Sequence, residues 1–176
     1  MFAKSGEFDL SAIMTPMHVV LFEPDIPGNT GNVGRTCLAT GSTLHLVGPL
    51  GFSLDDRYVR RSGLDYWSKV KVERHAGWET FIATLAPRAG LFFFSKKAEQ
   101  PFWNACFDAD SYLVFGCETR GLPSWFAERY SERFYQIPMA QDSVRSLNLA
   151  TAVGVVVYEA LRQTQHLSPH ASGHRS

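Results

Sequence analysis

Three short stretches of this 176-residue chain concentrate groups able to handle phosphate, hydroxyl or carboxylate chemistry. The first, PDIPGNTGNVGR, runs from Pro24 to Arg35 and mixes proline, glycine and asparagine ahead of a single arginine. Gly28 and Gly31 are read here as positions for backbone conformations closed to other residues, and Asn29 and Asn32 as partners for backbone or ligand. The planar guanidinium of Arg35 suits an oxygen-rich ligand such as phosphate. A tight turn with asparagine caps and a surface arginine is the alternative. The run carries no Gly-Lys-Ser/Thr ending, so it is not a Walker A loop, and its glycine spacing does not fit a dinucleotide fingerprint. In the second stretch, FGCETRGLP, Glu118 and Arg120 are confined between Gly116 and Gly121. Gly116 admits a ligand close to the backbone, and Gly121 allows a sharp turn. Glu118 and Arg120 either form a site or pair with each other. The third stretch, IPMAQDSVRSLNLA, brings Ser146 and Asn148 to the start of an apolar helix, where either caps it. Backbone amides at such a helix start also seat a polar ligand group.

These stretches need elements to hold them. Apolar runs alternate with helical spacing: HVVLFEP, then VGRTCLATG as a helix ending at Gly41, then TLHLVGP. KVKVE, GLFFFS, YLVFG and FYQIPM read as further strands, and GWETFIATLA as a helix. The predicted class is α/β, a mostly parallel sheet flanked by helices. In such sheets ligands bind beyond the carboxyl ends of the strands, where the three stretches fall. Leu149, Ala152, Val153, Val156, Val157, Ala160 and Leu161 recur with helical spacing and predict a buried stripe. Ala150, Gly154, Val155 and Tyr158 make the same helix apolar on another face, which favours a homodimer. One domain over residues 17–163 is expected, with residues 1–16 as a loose arm and 164–176 as a disordered tail.

Composition narrows the class. Hydrophobic residues form 45% and charged residues 19%, as in globular proteins. No apolar run approaches the roughly 20 residues that cross a bilayer, and the cytoplasm is the expected address. Cys37, Cys106 and Cys117 are too scattered for a disulfide framework or a zinc site, and no metal is expected. Lys plus Arg equals Asp plus Glu at 17 each, so any nucleic-acid footprint must be local. The stretch from Arg57 to His75, with Arg60 and Arg61, is a candidate for phosphates, or else a mixed solvated face.

The spacing from Asn29 to Arg35, the segment FGCETRGLP, and IPM followed by RSLNLATAVGVVVYEA together resemble the three signature motifs of SPOUT RNA 2′-O-methyltransferases. The resemblance spans roughly residues 17–163. It is closest to the short members that methylate the ribose of nucleotide 34 in tRNA, which share LFEPDIPGNTGN and RRSGLDYW. Gly28 departs from the proline common there, and the spacing from Met139 to Ser146 is one residue longer than in some members. The resemblance implies a C-terminal trefoil knot, a homodimer, the tRNA anticodon stem-loop as partner and S-adenosyl-L-methionine as cofactor. It places that cofactor near Phe94, Gly116, Ile137, Ser146 and Leu147. It assigns Arg35, Asn29, Glu118 and Asn148 to catalysis, and Arg120, with Arg60 and Arg61, to RNA.

Methyl transfer aligns a ribose oxygen behind a sulfonium methyl while the hydroxyl proton leaves, so positioning supplies much of the rate. An arginine stays protonated. Arg35 therefore fits a phosphate-holding, oxyanion-stabilising role better than that of a base. Two rivals stand beside this reading. One is a non-catalytic RNA- or nucleotide-binding domain; the other is a thiol enzyme using Cys117 beside Glu118, and within the resemblance itself a 2′-O-methyltransferase acting at another tRNA position is the alternative. The thiol enzyme has no histidine near in sequence, since His18, His45 and His75 read as strand or surface residues, and Cys117 reads as core.

Overall fold

The computed structural model describes residues 17–53, 66–140 and 144–165. Arg60 and Arg61, the N-terminal arm, the tail beyond Gln165 and residues 141–143 of the third stretch lie outside them. Among the described residues there are seven strands, β1 (His18–Phe22), β2 (Thr43–Val47), β3 (Val72–His75), β4 (Leu91–Phe94), β5 (Gln100–Pro101), β6 (Tyr112–Phe115) and β7 (Phe134–Gln136). They form one sheet in the order β3-β2-β1-β6-β4-β7-β5, and every pairing is parallel. The helices are α1 (Pro27–Ala39), α2 (Trp78–Ile82), α3 (Ser124–Tyr130) and α4 (Leu149–Gln165). α4 thus continues two residues past the expected domain end at 163.

Strand side chains alternate between two cores, as the two-residue period of a pleated strand requires. Val19 and Leu21 of β1 join Leu44, Leu46, Leu113 and Phe115 under α1 and α4. Val20 and Phe22 face the other way, onto an aromatic cluster of Trp78, Phe81, Phe93 and Phe126. The predicted stripe of α4 is buried at Val153, Val156, Val157, Ala160 and Leu161, with Leu149 and Ala152 partly covered. Its second apolar face stays open, with Val155 38% and Tyr158 60% exposed. No helix among the described residues is long and apolar enough to cross a membrane.

The first stretch is helix where a loop was expected. α1 begins at Pro27, so Gly28, Asn29 and Gly31 are all helical, and neither glycine has a positive φ. Proline suits the first helical position because its missing N–H is an orphan there. Glycines inside a helix cost roughly 0.5–1 kcal/mol each relative to alanine. Close approach accounts for one of them: a Cβ on Gly34 would lie 2.5 Å from the Trp67 ring, which packs directly on α1. Tyr66 adds a hydroxyl hydrogen bond to the Gly31 carbonyl, 3.2 Å away.

Candidate functional site

β1 lies where the chain's strand order reverses, with β2 and β3 on one side and β6, β4, β7 and β5 on the other. The segments leaving β1, β6, β4 and β7 emerge side by side at the carboxyl edge, the place where open parallel sheets bind ligands. A cavity of about 730 Å³ opens there. That is within the size range of small-molecule sites. Asn29, Gly116, Glu118, Arg120, Ile137, Ser146, Leu147 and Asn148, drawn from all three stretches, line it together with Phe94 at the end of β4. Arg35 does not. It is exposed on α1, its guanidinium 4.8 Å from the centre of the Tyr66 ring.

A chain of hydrogen bonds joins the stretches. The Asn148 Nδ2 donates to Asn29 Oδ1 at 2.9 Å, and Asn29 Nδ2 donates to Glu118 Oε1 at 3.0 Å. The other Glu118 oxygen accepts the backbone N–H of Asp25 at 2.8 Å. Asn148 also caps α4, its Oδ1 accepting the N–H groups of Ala150 at 2.9 Å and Thr151 at 3.3 Å. One side chain therefore sets the start of the last helix and ties it to the first.

Glu118 and Arg120 do not pair. Arg120 reaches instead toward Glu23, at 3.6 Å, and Asp25, at 3.8 Å. Asp25 accepts hydrogen bonds from the Cys117 thiol and the Thr119 hydroxyl, each at 2.7 Å. The thiol first, and then the hydroxyl, hold the Asp25 carboxyl below its usual range. Glu23, with φ of 48°, sits in the left-handed region at the end of β1. Such non-glycine outliers cluster at functional edges.

Gly116 lines the cavity and also lets the chain return close to itself: a Cβ there would lie 2.3 Å from the backbone of Gly121 and of Leu122. Gly121, with φ of 69°, makes the sharp turn that returns the loop, and its N–H bonds the Cys117 carbonyl at 2.8 Å. Cys117 is buried, but its thiol belongs to the wall of the site through Asp25.

The sequence reading did not single out Asp25, Thr119, Lys96, Lys97 or Arg145. Lys96 and Lys97 follow β4, and the Lys96 Nζ donates to the Arg145 carbonyl at 3.2 Å. With Arg120 they make a basic rim to the cavity, although the whole chain is neutral. The grouping of basic residues after a strand end was the available signal. The walls are mixed: Phe94, stacked on Phe115 at 4.8 Å, with Ile137, Leu147 and Leu149 offers apolar surface. Polar backbone and the Asn–Glu chain offer the rest. Such a lining suits a ligand with a flat apolar ring and several polar arms.

Residues 16–158 match the SpoU rRNA Methylase family. The tRNA (cytidine(34)-2'-O)-methyltransferase of Burkholderia cenocepacia is 47% identical over 148 residues, covering 83% of this chain and 94% of that protein. The enzyme of the same name from Saccharophagus degradans is 48% identical over 147 residues, with 83% and 94% covered. A solved structure described as giving insights into the 2-OH methylation of C/U34 on tRNA superposes with a TM-score of 0.80 at 46% identity, over 85% of this chain and 96% of its own. An AdoMet-bound rRNA methyltransferase from Sinorhizobium meliloti superposes with a TM-score of 0.74 at 26% identity, over 87% of this chain and 59% of its own.

Proposed function

The chain belongs to the SpoU methylase family, and from that premise we propose that it transfers a methyl group from S-adenosyl-L-methionine to the ribose 2′-hydroxyl of cytidine or uridine 34 in tRNA. The supporting observation is the convergence of Asn29, Glu118 and Asn148 on one cavity wall. It occurs in a chain that covers nearly the full length of relatives named for that reaction.

The cofactor, when bound, supplies a methyl group activated on a sulfonium sulfur. Phe94, Ile137 and Leu147 would provide apolar surface for its ring and methylene chain, and Ser146, near the end of the third stretch, a polar contact. The Asn148–Asn29–Glu118 chain holds the loops that frame the ribose. Fixing reacting groups in this way is the main lever for a transfer that needs in-line alignment. Arg35, steadied on the Tyr66 ring outside the cavity lining, is assigned to substrate phosphate and to charge developing on the ribose oxygen, a role that requires the bound RNA to reach from the cavity to α1. Arg120, Lys96, Lys97 and Arg145 meet the RNA backbone at the rim. Arg60 and Arg61 are proposed to extend that surface.

The open face of α4 is the proposed homodimer contact. The C-terminal knot belongs to the same reading. It is a property of the path between β7 and α4, which includes residues 141–143. A tRNA substrate also implies a cytoplasmic address.

Equilibrium binding of labelled S-adenosylmethionine tests the reading. Binding that is lost in Leu147→Glu is expected; absence of binding by the unaltered chain refutes both the pocket and the reaction. tRNA binding without methyl transfer would favour the non-catalytic RNA-binding alternative.

A further inference from the structure

On the opposite face of the sheet from α1, three imidazoles lie in a row. His18 Nδ1 is 2.8 Å from His45 Nε2, and His45 Nδ1 is 3.0 Å from His75 Nε2. β1, β2 and β3 are adjacent and parallel, and the register pairs His45 with Glu73, placing His45, Glu73 and His75 on one face. The Glu73 Oε2 lies 3.5 Å from His45 Nδ1 and 4.0 Å from His75 Nε2. The side chains of His45 and His75 are only 3% and 8% exposed, whereas Glu73 is 57% exposed at the sheet edge. Nothing in the proposed methyl transfer uses these groups.

Hydrogen bonding accounts for the imidazole row but not for the carboxylate. Distances of 3.5 and 4.0 Å are beyond an ordinary hydrogen bond. They do resemble the separation of atoms sharing a metal. Ligands about 2.0–2.1 Å from a tetrahedral zinc are roughly 3.3 Å from one another. The three separations here, 3.0, 3.5 and 4.0 Å, bracket that value.

We propose that His45 Nδ1, His75 Nε2 and the Glu73 carboxylate form a site for a divalent cation of the zinc class, leaving a fourth position to water. Ligation through Nδ1 requires the His45 proton on Nε2, where it donates to His18 Nδ1. That is the outer partner by which ligating histidines are oriented. Burial, with His18 and His75 beside it, pushes the His45 pKa down to about 3, and the neutral ring is the ligating form. Phe81 walls the rings at 5.5 Å from His45 and 5.1 Å from His75. The exposed Glu73 is the entry, and a bound ion clips the edge strand β3 to β2. Scattered cysteines gave no reason to expect a metal; histidines brought together by strand register do.

The test is zinc titration of the full-length, chelator-treated chain against a chromophoric competitor. His166, His170 and His174 are changed to glutamine so that the C-terminal histidines contribute nothing. One zinc per chain is expected, with a Co²⁺ complex showing tetrahedral visible bands. His18→Gln should weaken binding by about 10–100-fold, and Glu73→Gln and His75→Gln, which each remove a ligand, should weaken it more than His18→Gln does, while methyl transfer persists in Glu73→Gln. Glu73 lies at the exposed edge, so its variant decides the matter even if changes at the buried histidines impair folding. No binding by the tail-substituted chain, or binding indifferent to Glu73→Gln and His75→Gln, overturns the proposal and leaves a row of hydrogen-bonded neutral imidazoles.

Discussion

Replacing Gly116 with alanine adds one methyl group at the tightest backbone approach around the cavity. Its Cβ would lie 2.3 Å from Gly121 C and Leu122 N, and 2.7 Å from Gly121 O. These are backbone atoms, so no rotamer change relieves the overlap, and the returning segment must shift by about 1 Å to reach ordinary contact. A misplacement of that size costs on the order of a hundredfold in rate where positioning carries the reaction. Overpacking adds about 1–3 kcal/mol of destabilisation, or roughly 2–12 °C in melting temperature for a chain of this length. Calorimetric binding of S-adenosylmethionine and single-turnover methylation of tRNA measure the first effect, and a thermal melt the second. Gly28→Ala is the control, because a Cβ there meets nothing within 4 Å. Gly116→Ala is expected to bind cofactor weakly and methylate about a hundredfold more slowly, with Gly28→Ala unaffected. Normal cofactor affinity and rate in Gly116→Ala would refute the claim that this close approach shapes the pocket.

Other substitutions separate positioning from stability. Asn148→Ala removes the α4 cap and should cost about 1 kcal/mol, whereas Asn148→Asp keeps the acceptor but loses the donor to Asn29. The aspartate variant should therefore melt near the parent yet methylate poorly; equal activity would deny the Asn29 contact a role. Arg35→Ala is expected to abolish methyl transfer while leaving the parent's oligomeric state unchanged by light scattering, and full activity would remove Arg35 from the reaction. Burial pushes the Cys37 thiol up to about 12, so at pH 8 it stays protonated and unreactive. Brief iodoacetamide treatment of the folded chain should label exposed Cys106 alone, as read by peptide mass; rapid labelling of Cys37 would contradict its burial.

Much of this architecture was legible because period and composition agree. HVVLF, TLHLV and YLVF are predominantly apolar runs, as strands covered on both faces tend to be. The α4 stripe is visible because buried residues recur every three or four positions. The start of α1 misled: proline, glycine and asparagine are turn residues, and only packing against Trp67 explains a glycine at position 34 within a helix. Two-residue β5 has no period to detect. Of the site, the residues of the three stretches could be named, but their connections could not. Glu118 and Arg120 are neighbours that look paired, yet the return of the chain at Gly121 turns Arg120 toward Glu23 and Asp25. Asp25 resembles any loop aspartate until Cys117 and Thr119 fold onto it. The histidine row was hidden for a similar reason. Its members lie on different strands, and only their register brings them together.

Nucleotide-resolved mapping of the methyl group tests the central claim most directly. Unmodified tRNA is incubated with the chain and labelled S-adenosylmethionine, digested, and its nucleosides and fragments identified by mass. A single 2′-O-methyl group on the ribose of nucleotide 34 is the expected product, absent when Arg35 or Asn29 is replaced by alanine. Methyl on a base, on another ribose, or nowhere would contradict the assignment of this cavity to wobble-ribose methylation.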